Sequence, residues 1–341
     1  MFNSDISIDL GTATVQVYIK NKGIVLSEPT VIAVNTDTNE VRAAGDAALE
    51  MLGRTPPNIQ AVRPLHDGVI SSFTLAKEMI KIFLRRVLSR TAGHPRIMMC
   101  VPSGVTDVEQ RAVIEAAREV GARDVYIIEE PVAAALGAGF DISRAHGTLV
   151  VDIGGGTTDI AVMSLGGIVA SRSLKIAGDE FNEAIERYMR RACNLYIGPR
   201  TAERIKREIG SVVKRENELF CEAKGLCVIT GLPRAVTVSS NDIYGIFDDF
   251  VYNITERIKE TLEDTPPELH GDIMEDGIIL TGGGSLIYGL DAKIEEAVGV
   301  KCRRADDIIN CVVKGAAKAL ESVDTITDTT HIFHKKAYIR D

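Results

Sequence analysis

Residues 148–163 read Thr-Leu-Val-Val-Asp-Ile-Gly-Gly-Gly-Thr-Thr-Asp-Ile-Ala-Val-Met, and residues 5–19 read Asp-Ile-Ser-Ile-Asp-Leu-Gly-Thr-Ala-Thr-Val-Gln-Val-Tyr-Ile. Each stretch has a β-rich run, an aspartate-apolar-glycine step, a glycine and threonine turn, and a second alternating run. This order is typical of a β-hairpin. The hairpin recurs after about 140 residues, which predicts a duplicated domain whose halves open in the same way.

Strand and helix patterns alternate along the rest of the chain, which favours an α/β sheet covered by helices. Three short apolar runs are predicted to be buried strands: 97–101, 124–128 and 277–281. Three segments with helical spacing are predicted to be helices: 179–195, 201–216 and 310–321. Thr106 and Glu109 form a capping box at the start of a further helix. Pro131 stands where the first turn of a helix tolerates proline.

Composition narrows the class of protein. The chain has 341 residues, of which 45% are hydrophobic and 26% charged, so it is expected to be globular and not disordered. A net charge of −9 disfavours nucleic acid as a partner. The six cysteines have no metal-ligand spacing and are expected to be reduced thiols. We find no signal peptide and no apolar run near the ~18 residues of a spanning helix, and we expect a cytoplasmic or peripheral protein.

Three glycine-bearing turns each follow a predicted strand. They are Gly11-Thr12-Ala13-Thr14, Gly154-Gly155-Gly156-Thr157-Thr158 and Gly282-Gly283-Gly284-Ser285. Glycine lets the backbone approach a ligand closely and point successive N–H groups at phosphate oxygens. One such turn is often no more than a turn. Three of them together predict a phosphate site.

Acidic residues stand beside these turns. Asp9 and Asp152 end the matching strands, and a pair of carboxylates beside phosphates suits Mg²⁺, which keeps several of its waters. The alternative is that both aspartates cap turns. Glu130 opens a helix, where the helix dipole favours its ionised form and where it can orient a water toward a γ-phosphate. The alternative for Glu130 is a helix-capping role.

These motifs resemble the nucleotide-binding signature of the actin, DnaK-type chaperone and sugar-kinase superfamily. They include residues 129–139 (Glu-Glu-Pro-Val-Ala-Ala-Ala-Leu-Gly-Ala-Gly) and residues 277–286 (Gly-Ile-Ile-Leu-Thr-Gly-Gly-Gly-Ser-Leu). Four further stretches resemble the MreB/Mbl family of bacterial actins: 23–30 (Gly-Ile-Val-Leu-Ser-Glu-Pro-Thr), 62–70 (Val-Arg-Pro-Leu-His-Asp-Gly-Val-Ile), 177–181 (Ala-Gly-Asp-Glu-Phe) and 265–269 (Thr-Pro-Pro-Glu-Leu). The resemblance runs from about residue 4 to residue 322.

The resemblance implies an α/β actin-like fold with two ribonuclease-H-like domains around a central nucleotide cleft. The implied ranges are 1–140 for domain I and 141–310 for domain II. By their composition, Thr/Asp-rich and then basic, residues 323–341 are expected to be a polar tail or a late edge strand. Within domain I, residues 33–65 are expected to form a small subdomain, and the helix at 310–322 is expected to return to this domain. Residues 180–255 are the small subdomain expected in domain II.

The resemblance also implies residue roles in an ATP and Mg²⁺ site. Asp9 and Asp152 match the aspartates that hold Mg²⁺ through water, and Glu130 matches the residue that positions the hydrolytic water. The remaining matches are Gly11, Thr12, Ala13 and Thr14 in the first phosphate loop; Gly154, Gly155, Gly156 and Thr157 in the second; Glu203 and Lys206 beside ribose and adenine; and Gly282, Gly283, Gly284 and Ser285 in the adenosine loop. Asp159 matches a chaperone aspartate near the phosphates, where many bacterial actins have glutamate. The predicted catalytic residues are thus Glu130, Asp152 and Asp159. At one position, Thr14, the chain departs from the asparagine that is usual in the family.

A basic stretch in the first half suggests a membrane surface. The basic residues expected to contact anionic lipid are Lys81, Arg85, Arg86 and Arg90. The apolar residues expected to contact the lipid beside them are Phe83, Leu84, Val87, Leu88 and Phe2. Basic residues near anionic lipid contribute ≈1 kcal/mol each. The alternative is an ordinary helix with a solvated basic face. Through the resemblance alone, morphogenetic membrane proteins and the cell-wall synthesis machinery are expected partners.

Three functions fit these features. The first is an ATP-dependent filament subunit that determines bacterial cell shape at the inner face of the membrane, with slow ATP hydrolysis and head-to-tail self-association. The second is a sugar-type kinase, against which the water-positioning place of Glu130 and the lack of an assignable sugar pocket both count. The third is a chaperone-like ATPase, for which the chain length leaves no room for a peptide-binding domain. ATP turnover that rises when sugars are added indicates the kinase, and ATP turnover that rises with protein concentration indicates the filament subunit.

Overall fold

The computed structural model of the protein describes residues 5–88 and 94–323 together with a short strand at His334–Lys335. The strands are β1 (Asp5–Leu10), β2 (Thr14–Ile19), β3 (Gly23–Pro29), β4 (Ile32–Asn35), β5 (Val41–Ala44), β6 (Ile59–Val62), β7 (Leu65–His66), β8 (Val69–Ile70), β9 (Arg96–Val101), β10 (Asp124–Glu129), β11 (Thr148–Ile153), β12 (Thr158–Ser164), β13 (Gly167–Leu174), β14 (Leu195–Tyr196), β15 (Phe220–Cys227), β16 (Pro233–Ser239), β17 (Ile278–Thr281), β18 (Cys302–Arg304) and β19 (His334–Lys335). The α-helices are α1 (Asp46–Met51), α2 (Phe73–Leu88), α3 (Asp107–Glu119), α4 (Glu130–Gly137), α5 (Gly178–Ala192), α6 (Pro199–Ile209), α7 (Ser240–Ile243), α8 (Asp248–Glu263), α9 (Pro267–Asp276), α10 (Leu290–Val298) and α11 (Cys311–Ser322). Short 3-10 helices span Tyr244–Phe247 and Gly283–Leu286.

The first main sheet has the strand order β19-β10-β9-β1-β2-β3. β1 pairs antiparallel with β2 and parallel with β9, and β9 pairs parallel with β10, so the hairpin predicted at residues 5–19 is present. Helices α2 and α3 cover one face through a buried cluster that includes Ile8, Phe83 and Val113. The carboxyl ends of β1, β9 and β10 therefore meet at one edge of this sheet.

The second main sheet has the order β13-β12-β11-β17-β18. β11 pairs antiparallel with β12 and parallel with β17, as β1 does with β2 and β9, so the hairpin predicted at residues 148–163 is present too. A buried cluster with Phe181, Ile254 and Ile294 joins this sheet to α5, α8 and α10. The second sheet thus repeats the pairing pattern of the first.

Helices α4 and α11 pack between the two main sheets. Their buried cluster includes Met98 of the first sheet, Val150 of the second and Ala316 of α11. A Cβ on Gly315 would lie 1.7 Å from the Ala133 carbonyl oxygen, so the two helices cross at backbone contact. This crossing fixes the start of α4, where Glu130 lies, relative to both sheets.

The described residues also form a two-stranded sheet, β7 with β8, and two three-stranded sheets. Strands β5, β4 and β6 form one, and β14, β15 and β16 form the other. They fall largely within the segments expected to be small subdomains, but the domain boundaries themselves stay a prediction. The predicted tail at 323–341 lies mostly outside the described residues, and β19 within it pairs antiparallel with β10.

Two predicted helix ends are wrong. The helix expected over 179–195 ends at Ala192, because Cys193 caps it and Leu195 begins strand β14. The helix expected over 201–216 runs from Pro199 to Ile209, because Gly210 leaves the helical conformation with φ −54° and ψ 132°. Ser211 then bridges to Tyr288. Within the described residues, no helix is both long and apolar enough to cross a membrane.

Candidate functional site

The three glycine turns lie at the carboxyl ends of β1, β11 and β17 and come together at one place between the two main sheets. A Cβ on Gly155 would lie 2.5 Å from the Ala13 Cβ, so the first and second turns are in contact. A Cβ on Gly282 would lie 2.7 Å from Asp152 Oδ1, which brings the third turn to the same place. Ser285 Oγ donates to the Thr281 carbonyl oxygen and fixes the third turn on its strand. Backbone that approaches this closely is available only to glycine.

The second turn also holds the start of α5. The backbone N–H of Gly178 donates to Gly154 O at 3.1 Å, and that of Asp179 donates to Gly155 O at 2.7 Å. The first turn is tied to the loop after β7, since Gly68 N donates to Thr12 Oγ1 at 3.1 Å. Both phosphate-loop candidates are therefore held by hydrogen bonds from neighbouring backbone.

The four predicted carboxylates, Asp9, Glu130, Asp152 and Asp159, form one buried cluster beside these turns. Burial raises the pKa of Asp9 to about 7, and the charge of Asp152 adds to the shift. Burial also raises the pKa of Asp152 to about 7, although Thr281 Oγ1 donates a hydrogen bond to Asp152 Oδ1 at 2.8 Å. Burial and then the charges of Asp9, Asp159 and Asp152 hold the pKa of Glu130 well above its ordinary value. Burial raises the pKa of Asp159 to about 6.

Two oxygens of this cluster have no hydrogen-bond partner among the described residues. They are Glu130 Oε1 and Asp159 Oδ2, and both are buried. Buried polar atoms without a partner destabilise a fold unless a ligand, ion or water satisfies them. Like-charged carboxylates that raise one another's pKa are stabilised as anions by a cation. The cluster therefore suits a cation together with water.

The donor set also bears on how a metal would bind. Nowhere in residues 5–88 and 94–323 are three His, Cys, Asp or Glu side chains arranged to hold a metal directly. Mg²⁺ keeps several waters and is commonly held by one or two carboxylates plus substrate phosphates. Asp9 and Asp152, with glycine turns on either side, fit a hydrated Mg²⁺ and do not fit a site built entirely from protein ligands.

Glu203 and Lys206 lie on α6 and face the start of α5. Lys206 Nζ lies 2.7 Å from Glu203 Oε2 and donates to Gly178 O at 2.8 Å. Burial acts to raise the pKa of Glu203, but the Lys206 charge and hydrogen bond outweigh it, so this pKa is lowered. Asn182 Nδ2 donates to Glu203 Oε2 at 2.9 Å. This polar group connects to the second glycine turn through Gly178.

The structure adds three residues that the sequence did not indicate. Thr281 donates a hydrogen bond to Asp152, and Asn182 donates one to Glu203. Ser103 follows β9, and its backbone N–H donates to Asp159 Oδ1 at 3.2 Å while its hydroxyl donates to Glu129 Oε2 at 3.0 Å. Pro102 and Ser103 directly follow a predicted strand, as Gly11 follows β1, and this position is the signal that the sequence offers for Ser103.

The described part of the basic stretch lies on α2, which packs on the face of the first main sheet opposite α4 and α11. Phe83, Leu84 and Val87 are buried in the first sheet's core, so the prediction that they would face lipid is wrong. Helix α2 is amphipathic, and its apolar side packs on the sheet. Lys81 pairs with Glu78 and Glu119, and Arg86 pairs with Glu28. Arg85 is exposed, and Arg90 and Phe2 lie outside the described residues.

Comparison with known proteins identifies the family. The family described as MreB/Mbl protein matches residues 3–328. The cell shape-determining protein MreB of Escherichia coli strain K12 is 47% identical over 330 residues, which cover 95% of each chain. The cell shape-determining protein Mbl of Bacillus subtilis strain 168 is 44% identical over 327 residues, which cover 96% of this chain and 98% of that one.

Solved structures agree with this relationship. The crystal structure of MreB5 of Spiroplasma citri bound to ADP has a TM-score of 0.89 and 41% identity, and it covers 95% of this chain and 97% of that chain. A chain of the MamK double helical filament has a TM-score of 0.79 at 22% identity over 94% of this chain and 99% of its own, which bears on the fold alone. These likenesses confirm the predicted actin-like fold. With the family match over nearly its whole length, the chain belongs to the MreB/Mbl family.

Proposed function

We propose that this chain is an ATP-dependent subunit of actin-like filaments that determines bacterial cell shape by organising cell-wall synthesis, and that it hydrolyses ATP slowly. The observation that carries the proposal is the meeting of three glycine turns beside four buried carboxylates whose pKa values are raised. Relatives at 44–47% identity are named as cell shape-determining proteins. These names favour a filament subunit over a sugar-type kinase.

In this proposal the nucleotide lies between the first and second glycine turns. Backbone N–H groups and the hydroxyls of Thr12 and Thr157 are donors for phosphate oxygens, as in other concave backbone sites for anions. The ribose and adenine would contact Glu203 and Lys206, which Asn182 supports, and the adenosine would lie along Gly282 to Ser285. Support comes from solved relatives, since MreB5 of Spiroplasma citri was crystallised with ADP and with AMPPNP.

Asp9 and Asp152 would hold Mg²⁺ through its water molecules. A bound divalent cation supplies charge stabilisation on the phosphates during in-line displacement. Its charge would also lower the pKa values of both aspartates, so they would be ionised at neutral pH. Thr281, which already donates to Asp152, keeps that carboxylate oriented.

Glu130 is the proposed water-positioning residue. It lies at the start of α4, and its buried Oε1 has no partner among the described residues, so it can accept a hydrogen bond from water. Asp159 presents a second buried acceptor oxygen beside it. Orienting water for attack on a γ-phosphate is mainly a matter of position and charge, which explains why such hydrolysis can be slow without a further group.

Assembly and membrane contact complete the proposal. A head-to-tail contact between copies does not close on itself and therefore produces a filament. We place the filament in the cytoplasm at the inner membrane surface, with anionic lipid attracted by Arg85, Arg86 and Arg90. Morphogenetic membrane proteins are proposed partners, and nucleic acid is not.

Sedimentation tests the filament proposal. Purified protein is incubated with Mg-ATP, Mg-ADP or no nucleotide, with and without anionic liposomes, then pelleted and imaged by negative-stain electron microscopy. We expect filaments that depend on nucleotide. A protein that binds ATP yet stays unassembled at every concentration contradicts the proposal and directs attention to sugar substrates.

A further inference from the structure

Gln16 is a buried amide beside the carboxylate cluster that belongs to none of the glycine turns. It lies on β2 directly opposite Asp9 of β1 and is 4% exposed. Directly opposed residues of antiparallel strands project to the same face with Cβ atoms about 4.5–5.5 Å apart. The Gln16 side chain is therefore next to Asp9 on the face that carries the cluster.

One atom of this amide has no partner. Gln16 Oε1 is buried and accepts no hydrogen bond from the described residues. The penalty for a buried acceptor without a donor is about 1–3 kcal/mol. Its closest acidic neighbour across the strand pair, Asp9, offers no donor when it is ionised.

A chain of hydrogen bonds fixes which end of the amide faces the cluster. Gln16 Nε2 donates to Asn310 Oδ1 at 2.8 Å, and Asn310 Nδ2 donates to Asp307 Oδ1 at 2.8 Å. An ionised carboxylate only accepts, so Asn310 must turn its amino group toward Asp307 and its oxygen toward Gln16. Gln16 must then turn its own amino group toward Asn310. Its oxygen is left facing away from this relay.

The anchor of the relay is held in its ionised form. Lys314 Nζ pairs with Asp307 Oδ2, and this hydrogen bond is the main cause that lowers the pKa of Asp307. The relay therefore keeps a single orientation at neutral pH. Its other end, at Gln16, presents a neutral acceptor oxygen beside a group of carboxylates. A hydrated cation satisfies such a set of acceptors, because it carries both hydrogen-bond donors and positive charge.

We propose that Gln16 Oε1 accepts a hydrogen bond from a water molecule of the divalent cation held by Asp9 and Asp152. Gln16 is then a positioning residue that orients the hydration shell of the metal. The inference rests on the proposed function, because the cation accompanies ATP. Partners that orient the groups around a bound metal typically contribute 10–100-fold to metal affinity.

The test measures how strongly Mg²⁺ assists nucleotide binding. A fluorescent ATP analogue is titrated into the protein in Mg²⁺ and in EDTA, and the ratio of the two affinities is compared between variants. For Gln16→Leu we expect this ratio to fall about 10-fold while the affinity in EDTA stays within about twofold. The control is Gln60→Leu, since Gln60 is exposed on β6, and its ratio should equal that of the unsubstituted protein.

A second variant guards against misfolding of the first. Asn310→Ala removes the relay and frees the Gln16 amide to rotate, so the ratio should fall in the same direction by a smaller factor. Thermal melting without nucleotide identifies any variant that has not folded. An unchanged ratio in a folded Gln16→Leu protein, or in Asn310→Ala if Gln16→Leu does not fold, overturns the inference. If the unsubstituted chain binds no nucleotide in either buffer, the proposed function itself fails.

Discussion

The backbone N–H of Ser103 donates a hydrogen bond to Asp159 Oδ1 at 3.2 Å, and this bond joins the loop after β9 of the first main sheet to β12 of the second. The other oxygen of Asp159 is buried without a partner among the described residues. A single aspartate therefore links the two halves and offers an acceptor within the carboxylate cluster. If the proposed function holds, this hydrogen bond would connect the carboxylate cluster to the relative position of the two main sheets.

Replacing Glu130 should separate binding from hydrolysis. In Glu130→Ala we expect ATP affinity within about threefold of the unsubstituted protein and hydrolysis slower by about 100-fold, the usual scale for a positioned acid or base. Phosphate release measures the hydrolysis, and a fluorescent analogue measures the affinity. Glu268→Ala is a matched control, since Glu268 is also in the first turn of a helix and is exposed. Normal turnover in Glu130→Ala removes Glu130 from its proposed role.

Acidity should affect the stability of the nucleotide-free protein through the carboxylate cluster. The folded-state pKa values of Asp9 and Asp152 are about 7, raised from 3.8, so the folded protein holds protons that the unfolded chain has lost between these values. The stability that these protons give is fully present below the unfolded pKa and is lost as pH rises through about 7. Asp152→Asn carries no charge at this position at any pH.

The measurement is the free energy of unfolding in urea at several pH values without metal or nucleotide. The stability of Asp152→Asn relative to the unsubstituted protein should increase as pH rises from about 5 to about 8. Asp37→Asn, at an exposed position, should show no such trend. A relative stability of Asp152→Asn that is flat or decreasing over this range is the contrary result.

Contact between the glycine turns predicts a strong effect of one methyl group. In Gly155→Ala the new Cβ would meet the Ala13 Cβ at 2.5 Å, so the first and second turns must separate. We expect nucleotide affinity to fall at least about 10-fold, because phosphate sites depend on close backbone approach. Gly271→Ala on α9 meets no atom within 4 Å and should keep full affinity, with stability raised by about 0.5–1 kcal/mol. Equal affinities for the two variants would falsify the proposed loop contact.

Membrane contact is tested by charge reversal on and after α2. Replacing Arg85, Arg86 and Arg90 together by Glu should weaken binding to anionic liposomes by about 100-fold or more, at ≈1 kcal/mol for each basic residue lost. ATP affinity should not change, because α2 packs on the face of the first main sheet opposite α4 and α11. Reversal of Arg191, Arg200 and Arg207, which are exposed in the second half, is the matched control. Liposome binding that survives the first set and not the second moves the membrane surface elsewhere.

Much of the fold could be predicted because its signals are local. The alternation around Asp9 and Asp152 marks both hairpins, and a capping box with Thr106 marks the start of α3, where the structure has it. Glycine turns after buried strands indicate phosphate chemistry before any strand order is known. Each of these features depends on residues that are close together in sequence.

The features that the sequence does not predict have a different physical origin. Ser103, Asn182 and Gln16 are not predicted because each one contacts a residue of a strand or helix that becomes its neighbour only in the folded chain. The face of α2 that carries Phe83 is apolar, but its sequence does not state whether a sheet or a lipid surface covers it. The sequence predicts too late an end for α6, because the helical spacing of apolar residues continues past Gly210. The backbone leaves the helical conformation at Gly210 itself.

The proposed nucleotide site is tested most directly by a crystal structure of this chain grown with Mg²⁺ and AMPPNP. The phosphates should lie between Gly11–Thr14 and Gly154–Thr157, with Mg²⁺ held through water by Asp9 and Asp152 and the adenine beside Glu203 and Lys206. Nucleotide bound at any other surface, or a site that stays empty at saturating nucleotide, would contradict the account.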